Sequence, residues 1–311
     1  MSLPWLGPIW KQLASQLQQQ HFPQSILLRG EKGLGKQQMA QFLAKTLLCT
    51  EQTHQACNAC HSCQVFEANN HGGLYQVNQD KPKLDDIRAL SAWAGQTSHL
   101  GPHKVAIIHD ISLLNDASNN ALLKTLEEPV DGTFFILINH LPFKAMPTIR
   151  SRCQSFNLPT PPLELVKTWL VKQKIRLDEN FLLIHRFCNG APLIMAEFYR
   201  QQSLKDLQLF LTQYQQMVHG QTHKLGDIIQ KQPAQLSWLG HTLALSSSIR
   251  GGLLNQALFP QLPVKQLSAS TLNKAYQDWL LLVKQLESFP SLNLGQQLYP
   301  LFNRFKEPVS C

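Results

Sequence analysis

Four cysteines, Cys49, Cys57, Cys60 and Cys63, fall in the spacing C-x7-C-x2-C-x2-C. Two intervening residues let neighbouring thiolates turn toward one tetrahedral ion, so the set reads as a closed structural site, with zinc as the favoured metal. An iron–sulfur cluster accepts the same four thiolates and stands as the alternative. His54 and His61 share the segment, but four thiolates already fill a site, and both are read as lying outside the ligand set. No thioredoxin-like setting supports redox catalysis by these thiols.

A second group of residues suits phosphate. Gly30-Glu31-Lys32-Gly33-Leu34-Gly35-Lys36-Gln37 matches G-x-x-x-x-G-K-[ST] at every fixed position except the last. Gly30, Gly33 and Gly35 would let backbone N–H groups wrap a phosphate, and Lys36 would reach its outer oxygens. Gln37 replaces the small hydroxyl that ligates magnesium with a longer neutral amide, a poor fit to a tight octahedral site. Asp110 follows the apolar run Val105 to His109 and could hold magnesium through water. The next residues, Ile111, Ser112 and Leu113, carry no carboxylate to polarise an attacking water.

The elements that position these residues follow from periodicity. Ser25 to Arg29, Leu74 to Val77, Val105 to His109, Phe134 to Ile138 and Gln154 to Asn157 read as strands. They alternate with amphipathic stretches at Lys36 to Leu48, Leu84 to Trp93 and Asp116 to Glu128, which predicts a parallel sheet covered by helices. Pro159, Pro161 and Pro162 break the pattern, and beyond them only helical periodicity remains. Leu163 to Gln173 and Asp178 to Cys188 read as short helices, the second with Asp178 as N-cap and Gly190 beyond its end, and a third follows Pro192. Leu204, Leu207, Leu211, Tyr214 and Val218 mark one longer helix, and Leu272, Tyr276, Trp279, Val283 and Leu286 another. Such stripes are what packed helices need and indicate no cofactor.

Composition bounds the class. The 311 residues are 43% hydrophobic and 15% charged, which reads as folded throughout, in more than one domain. The net charge of +8 biases the molecule toward polyanions, but Lys11, Lys81, Lys83, Lys104, Lys167, Lys172, Lys174 and Arg176 are scattered and read as solvated surface cations. No apolar run approaches membrane-spanning length, and the N-terminus lacks a basic start followed by an apolar stretch. Seven cysteines, four of them clustered, fit a reducing compartment, and the expected location is the cytoplasm.

Asn120-Ala121-Leu122-Leu123-Lys124-Thr125-Leu126-Glu127-Glu128-Pro129, with Asp110 before it and Ser151-Arg152-Cys153 after it, resembles the signature of bacterial clamp-loader subunits of the AAA family. Together with the four-cysteine insertion, the resemblance points to DNA polymerase III. It implies an α/β plus all-α chain: an AAA-type P-loop domain on a five-stranded parallel sheet with a zinc module (residues 1–160), a three-helix lid (161–202) and a helical collar (203–311) that builds a five-subunit ring. By the same resemblance Arg152 is an arginine finger reaching the ATP of a neighbouring gamma/tau subunit. The implied partners are the gamma/tau and delta subunits in a hetero-oligomer and, through the complex, the sliding clamp and primer-template DNA.

The sequence departs from hydrolysing relatives at three places. Gln37 replaces the P-loop hydroxyl, Ile111 replaces the glutamate after Asp110, and Gly190-Ala191-Pro192-Leu193-Ile194 lacks the lid arginine. The expectation is a chain with no ATP hydrolysis of its own, in which ATP binding is not expected and the remnant loop is inactive. Two alternatives are a slow ATPase relying on Lys36 and Asp110, and a zinc-dependent DNA-binding module.

Overall fold

The structure is a computed structural model and describes residues 3–305 apart from 20–21, 52–54, 78–81, 98–100, 142–144, 202, 233–234, 260–261, 264–266 and 289–292. His54 and Lys81 lie outside the described residues. The chain divides into two compact units, Met1–Val166 with Ala191–Leu193, and Lys167–Gly190 with Ile194–Cys311.

The first unit opens with helix α1 (Gly7–Gln18) and is built on five strands, β1 (Ser25–Glu31), β2 (Leu74–Val77), β3 (Lys104–Ile108), β4 (Thr133–Leu141) and β5 (Gln154–Asn157). They form one sheet in the order β2-β3-β4-β1-β5, and every pairing is parallel. Every residue of β3 is buried, whereas edge strand β5 buries only Phe156. Strands covered on both faces read as unbroken apolar runs, which is why the sequence places β1, β3 and β4.

Helices α2 (Lys36–Leu48), α3 (His61–Glu67), α4 (Leu84–Ala94), α5 (Asp116–Glu127) and α6 (Pro147–Arg150) complete the unit. One face of the sheet, through Leu27, Ala106, Ile108, Phe135 and Leu137, packs on Ile87 and Leu90 of α4, Leu122 and Leu126 of α5 and Ile149 of α6. Alternate strand residues point the other way, and α2 packs against β1, β3 and β4 through its own buried row of Met39, Leu43 and Leu47.

Lys104 is no solvated surface lysine: it is 4% exposed. Its Nζ donates to the carbonyls of Trp93 at 2.6 Å, Ala94 at 2.8 Å and Gln96, and lies over the Trp93 ring. The last carbonyls of a helix have no partner within it, and this lysine supplies one from the neighbouring strand β3.

The chain continues through α7 (Leu163–Lys172), α8 (Phe181–Phe187) and α9 (Pro192–Arg200). Helix α8 begins three residues later than expected. Asp178 is not its N-cap; its carboxylate accepts from the backbone N–H of Asn180 and from Tyr199, fixing the turn before the helix. Gly190 lies beyond the helix end, with positive φ and its N–H on His185 O.

Longer helices dominate the rest of the second unit: α10 (Ser203–Val218), α11 (Leu225–Lys231), α12 (Gln235–Arg250), α13 (Ala269–Ser288) and α14 (Leu294–Asn303). Phe187, Phe198 and Phe210 surround Trp238 at ring-centroid distances of 5.6, 5.6 and 5.7 Å. The Trp279 ring lies so close to Gly240 that a Cβ there would fall 2.3 Å from it, and Trp279 Nε1 donates to Leu236 O at 2.8 Å. On α13 the stripe is deepest at Leu272, Ala275 and Leu282, while Leu280 and Leu281 are exposed.

Candidate functional site

Helix α2 has a group of functional side chains at each end. At its N-terminus the loop Gly30 to Gly35 leaves β1 and turns into the helix through Gly35, whose φ of 89° belongs to the left-handed region. A Cβ there would meet Leu3 Cδ1 at 2.5 Å and Leu6 Cδ1 at 3.2 Å. Trp5 donates from Nε1 to Leu34 O at 2.8 Å. The turn Pro4–Leu6, with Trp5 and Leu6 buried, is thus packed onto the loop.

Lys36 is 2% exposed. Its Nζ donates to Gly30 O at 2.5 Å and Glu31 O at 2.6 Å. Burial brings its pKa down to about 8, against the opposing pull of Glu31 and Asp110. Gln37, one residue on, is exposed.

Asp110 follows β3 and caps the single turn Ile111–Leu113: its Oδ1 accepts from Ser112 N at 2.9 Å and from Ser112 Oγ at 2.6 Å. Its other oxygen lies 3.9 Å from His140 Nε2. Burial, then the positive charge of Lys36, brings His140 down to about 4, with Asp110 pulling the other way and Lys32 adding to the fall. The imidazole is therefore neutral at physiological pH. Sequence reasoning missed His140; the available signal was a polar pair, Asn139-His140, at the C-terminal end of an otherwise apolar strand, where α/β sheets carry their sites. Ile111 is 4% exposed and belongs to the apolar core beneath α4 and α5.

At the C-terminus of α2, Cys49 is the cap residue. The Sγ atoms of Cys49, Cys57, Cys60 and Cys63 all lie within 4.8 Å of one another. Cys49 and Cys60 are 3.9 Å apart, and Cys57 and Cys63 4.0 Å. Four thiolates about 2.3 Å from a central zinc stand roughly 3.8 Å from one another, so the residues fit a tetrahedral metal. Backbone N–H groups of Cys57, Ala59, Cys60 and Cys63 point at these sulfurs, the polarity that supports negative charge on sulfur. His61 is exposed at the start of α3.

Two networks fasten this module to the sheet domain. Lys45 donates to Asn58 Oδ1 at 2.6 Å and pairs with Glu67. His71, 5% exposed, accepts from Gly73 N at Nδ1, 3.0 Å. Its Nε2 therefore carries the proton in the neutral ring and donates to Ser62 Oγ at 2.9 Å, and Ser62 Oγ donates to Leu48 O at 2.5 Å. Burial lowers the His71 pKa, in the direction of the neutral ring.

Arg152 stands apart from both groups. It follows α6, and among the described residues its side chain bonds to Glu127, Thr148 and Ser151. Its neighbour Cys153 is buried, with its thiol pushed up to about 12 by burial, which makes it a core thiol and no nucleophile. In the first unit the start of α9 also meets the phosphate loop, Leu193 N donating to Gly33 O at 3.2 Å.

A phosphate-type loop between β1 and α2, an acidic residue following β3 and a convergent four-cysteine module on a parallel sheet define a P-loop α/β protein. Residues 6–162 match the family model described as DNA polymerase III, delta subunit. The DNA polymerase III subunit delta' of Pseudomonas aeruginosa is 32% identical over 244 residues, 76% of this chain and 70% of that protein. Those of Haemophilus influenzae and Escherichia coli are 31% and 33% identical, over 68% and 61% of this chain. The chain belongs to the family of DNA polymerase III delta-prime subunits. The matched regions span 65% and 58% of the Haemophilus and Escherichia proteins. Among solved structures, a DNA polymerase III gamma subunit-related protein of Thermotoga maritima aligns with a TM-score of 0.46 at 16% identity, over 96% of this chain and 98% of that one. Among the described residues no helix is long and apolar enough to cross a membrane.

Proposed function

We propose that this chain is a non-hydrolysing ring subunit of the DNA polymerase III clamp loader, helping to place the sliding clamp on primed DNA in the cytoplasm. The observation that carries the reading is Ile111. Where hydrolysing relatives of the resemblance carry a water-polarising glutamate, this chain has an apolar side chain that is 4% exposed and part of the core. Gln37 is supporting: it offers no hydroxyl to a magnesium ion. Gly30, Gly33, Gly35, Lys36 and Asp110 are then a remnant nucleotide site, onto which Leu3 and Leu6 are packed.

Arg152 carries the chain's catalytic contribution in this reading, as an arginine finger completing the ATP site of a neighbouring gamma/tau subunit. Trans-acting fingers are worth on the order of 10³ to 10⁵ in rate in the strongest cases. The helices beyond residue 160 divide into a lid up to 202 and a collar from 203, the collar binding gamma/tau and delta. Zinc held by Cys49, Cys57, Cys60 and Cys63 would tie Ala56 to Cys63 to the end of α2, a structural duty with no chemical step.

The test is reconstitution of the ring with its partner subunits. Arg152→Ala should lower the ATPase of the complex and clamp loading by about 10² or more, while the isolated wild-type chain hydrolyses no ATP above background. A ring containing Arg152→Ala that runs at the parental rate removes the finger. Magnesium-dependent, micromolar ATP binding by the isolated chain in calorimetry would instead support the slow-ATPase reading. The DNA-binding reading of the cysteine module is weak, because Lys45 is engaged by Glu67 and Asn58, and Phe66 is buried.

A further inference from the structure

Glu127 is the last residue of α5, and its carboxylate takes Nη2 of Arg152. On the same guanidinium, Nη1 donates to Thr148 O at 2.9 Å and to Ser151 Oγ at 3.4 Å. A guanidinium has five N–H donors. Three are engaged here, and the donor on Nε and the second on Nη2 have no partner among the described residues. The side chain of Arg152 is 33% exposed and that of Glu127 46%. The arginine is thus fixed from two sides, by α5 and by the α6 turn, with two donors left over, the number a bidentate oxyanion takes.

Helix stability does not explain Glu127. A carboxylate at the C-terminus of a helix faces the negative end of the macrodipole and is unfavourable there. What it gains at that position is the guanidinium.

We infer that Glu127 is the positioning residue for Arg152, holding its guanidinium oriented at the rim so that the free donors can meet a phosphoryl oxygen on an adjacent subunit. The inference rests on the trans-acting role of Arg152 proposed above. Magnitudes keep the device from locking the arginine away. An exposed ion pair contributes no more than about a fivefold bias, far below what an arginine finger gains on a phosphoryl group. Glu127 therefore orients the side chain before the interface forms and yields or shares it afterwards.

The full-length chain is tested in the reconstituted ring. Glu127→Ala is expected to lower kcat for ATP hydrolysis about two- to fivefold, the range of an exposed ion pair, with KM for ATP unchanged. Glu127→Gln, which keeps an acceptor oxygen at the same reach, recovers part of that loss. Glu127→Ala combined with Arg152→Ala runs no slower than Arg152→Ala alone. A Glu127→Ala ring at or above the parental rate, alongside a slow Arg152→Ala ring, overturns the positioning role and leaves the finger standing. Arg152→Ala at the parental rate overturns the finger instead. Side-chain nitrogen NMR of the isolated chain decides the contact by itself: rotation of the Arg152 guanidinium should be slower in the parent than in Glu127→Ala, and equal rotation overturns the inference.

Discussion

The two ends of helix α2 make an instructive pair. At the C-terminal end, four sulfurs converge and the surrounding N–H groups point at them, so the chain presents a complete donor set to an ion. At the N-terminal end the functional groups are engaged within the chain. Lys36 is bonded to the carbonyls of its own loop, Asp110 to Ser112, and Gly35 is covered by Leu3 and Leu6. One helix therefore carries a site whose polar atoms are reserved for a ligand and another whose polar atoms serve the fold.

That contrast can be broken at either end. Removing the metal by chelation, or replacing Cys60 by serine, should have the largest effect, since a structural zinc is worth on the order of 10 kcal/mol to a small module. Metal content should fall from one equivalent per chain, and amides between Ala56 and Glu67 should lose protection from hydrogen exchange while β3 and β4 keep theirs. Gly35→Ala comes next: a left-handed φ and a clash with Leu3 together should cost about 3 kcal/mol, read as a lower midpoint in urea. His71→Phe keeps a ring but leaves Gly73 N without its acceptor and Ser62 Oγ without the proton it accepts, for about 2 kcal/mol.

The smallest effect has the opposite sign. Lys36 has a folded pKa near 8 against an ordinary value of 10.5. Between those values the unfolded chain holds a proton that the folded chain has released, so stability rises with pH across that window. Below pH 8 both states are charged, and the folded state bears the desolvation cost. Lys36→Met should accordingly be the more stable form at pH 7, by about 1 kcal/mol. Thermal melts should show that advantage shrinking as pH passes from 8 to 10.5; an advantage constant with pH would place the cost elsewhere.

Much of the first unit was legible in the sequence because its determinants are local. Strands β2 and β5 have the predicted limits, and the central strands differ by one to three residues, since apolar runs of that length bounded by polar residues leave little choice. The cysteine spacing carried the convergence of the four thiols for the same reason. What escaped was set by tertiary placement. Nothing local distinguishes Lys104, which satisfies three carbonyls beside α4, from a surface lysine. Lys36 bends back onto its own loop, and His140 comes near Asp110 only because β3 and β4 are neighbours. Asp178 met the composition of an N-cap, but its bond to Asn180 N made a turn that postponed the helix. The cluster around Trp238 draws on four helices, α8, α9, α10 and α12, and no single stretch encodes it.

Ile111 also bears on which substitutions the fold permits. With its side chain in the same core cluster as Ile87, Leu90 and Leu122, a carboxylate at this position would place a charge in hydrocarbon, at a cost of several kcal/mol. Accommodating it would require the surrounding packing to change as well. Packing thus closes position 111 to acidic side chains: each core residue that surrounds it adds to the substitutions such a side chain would need.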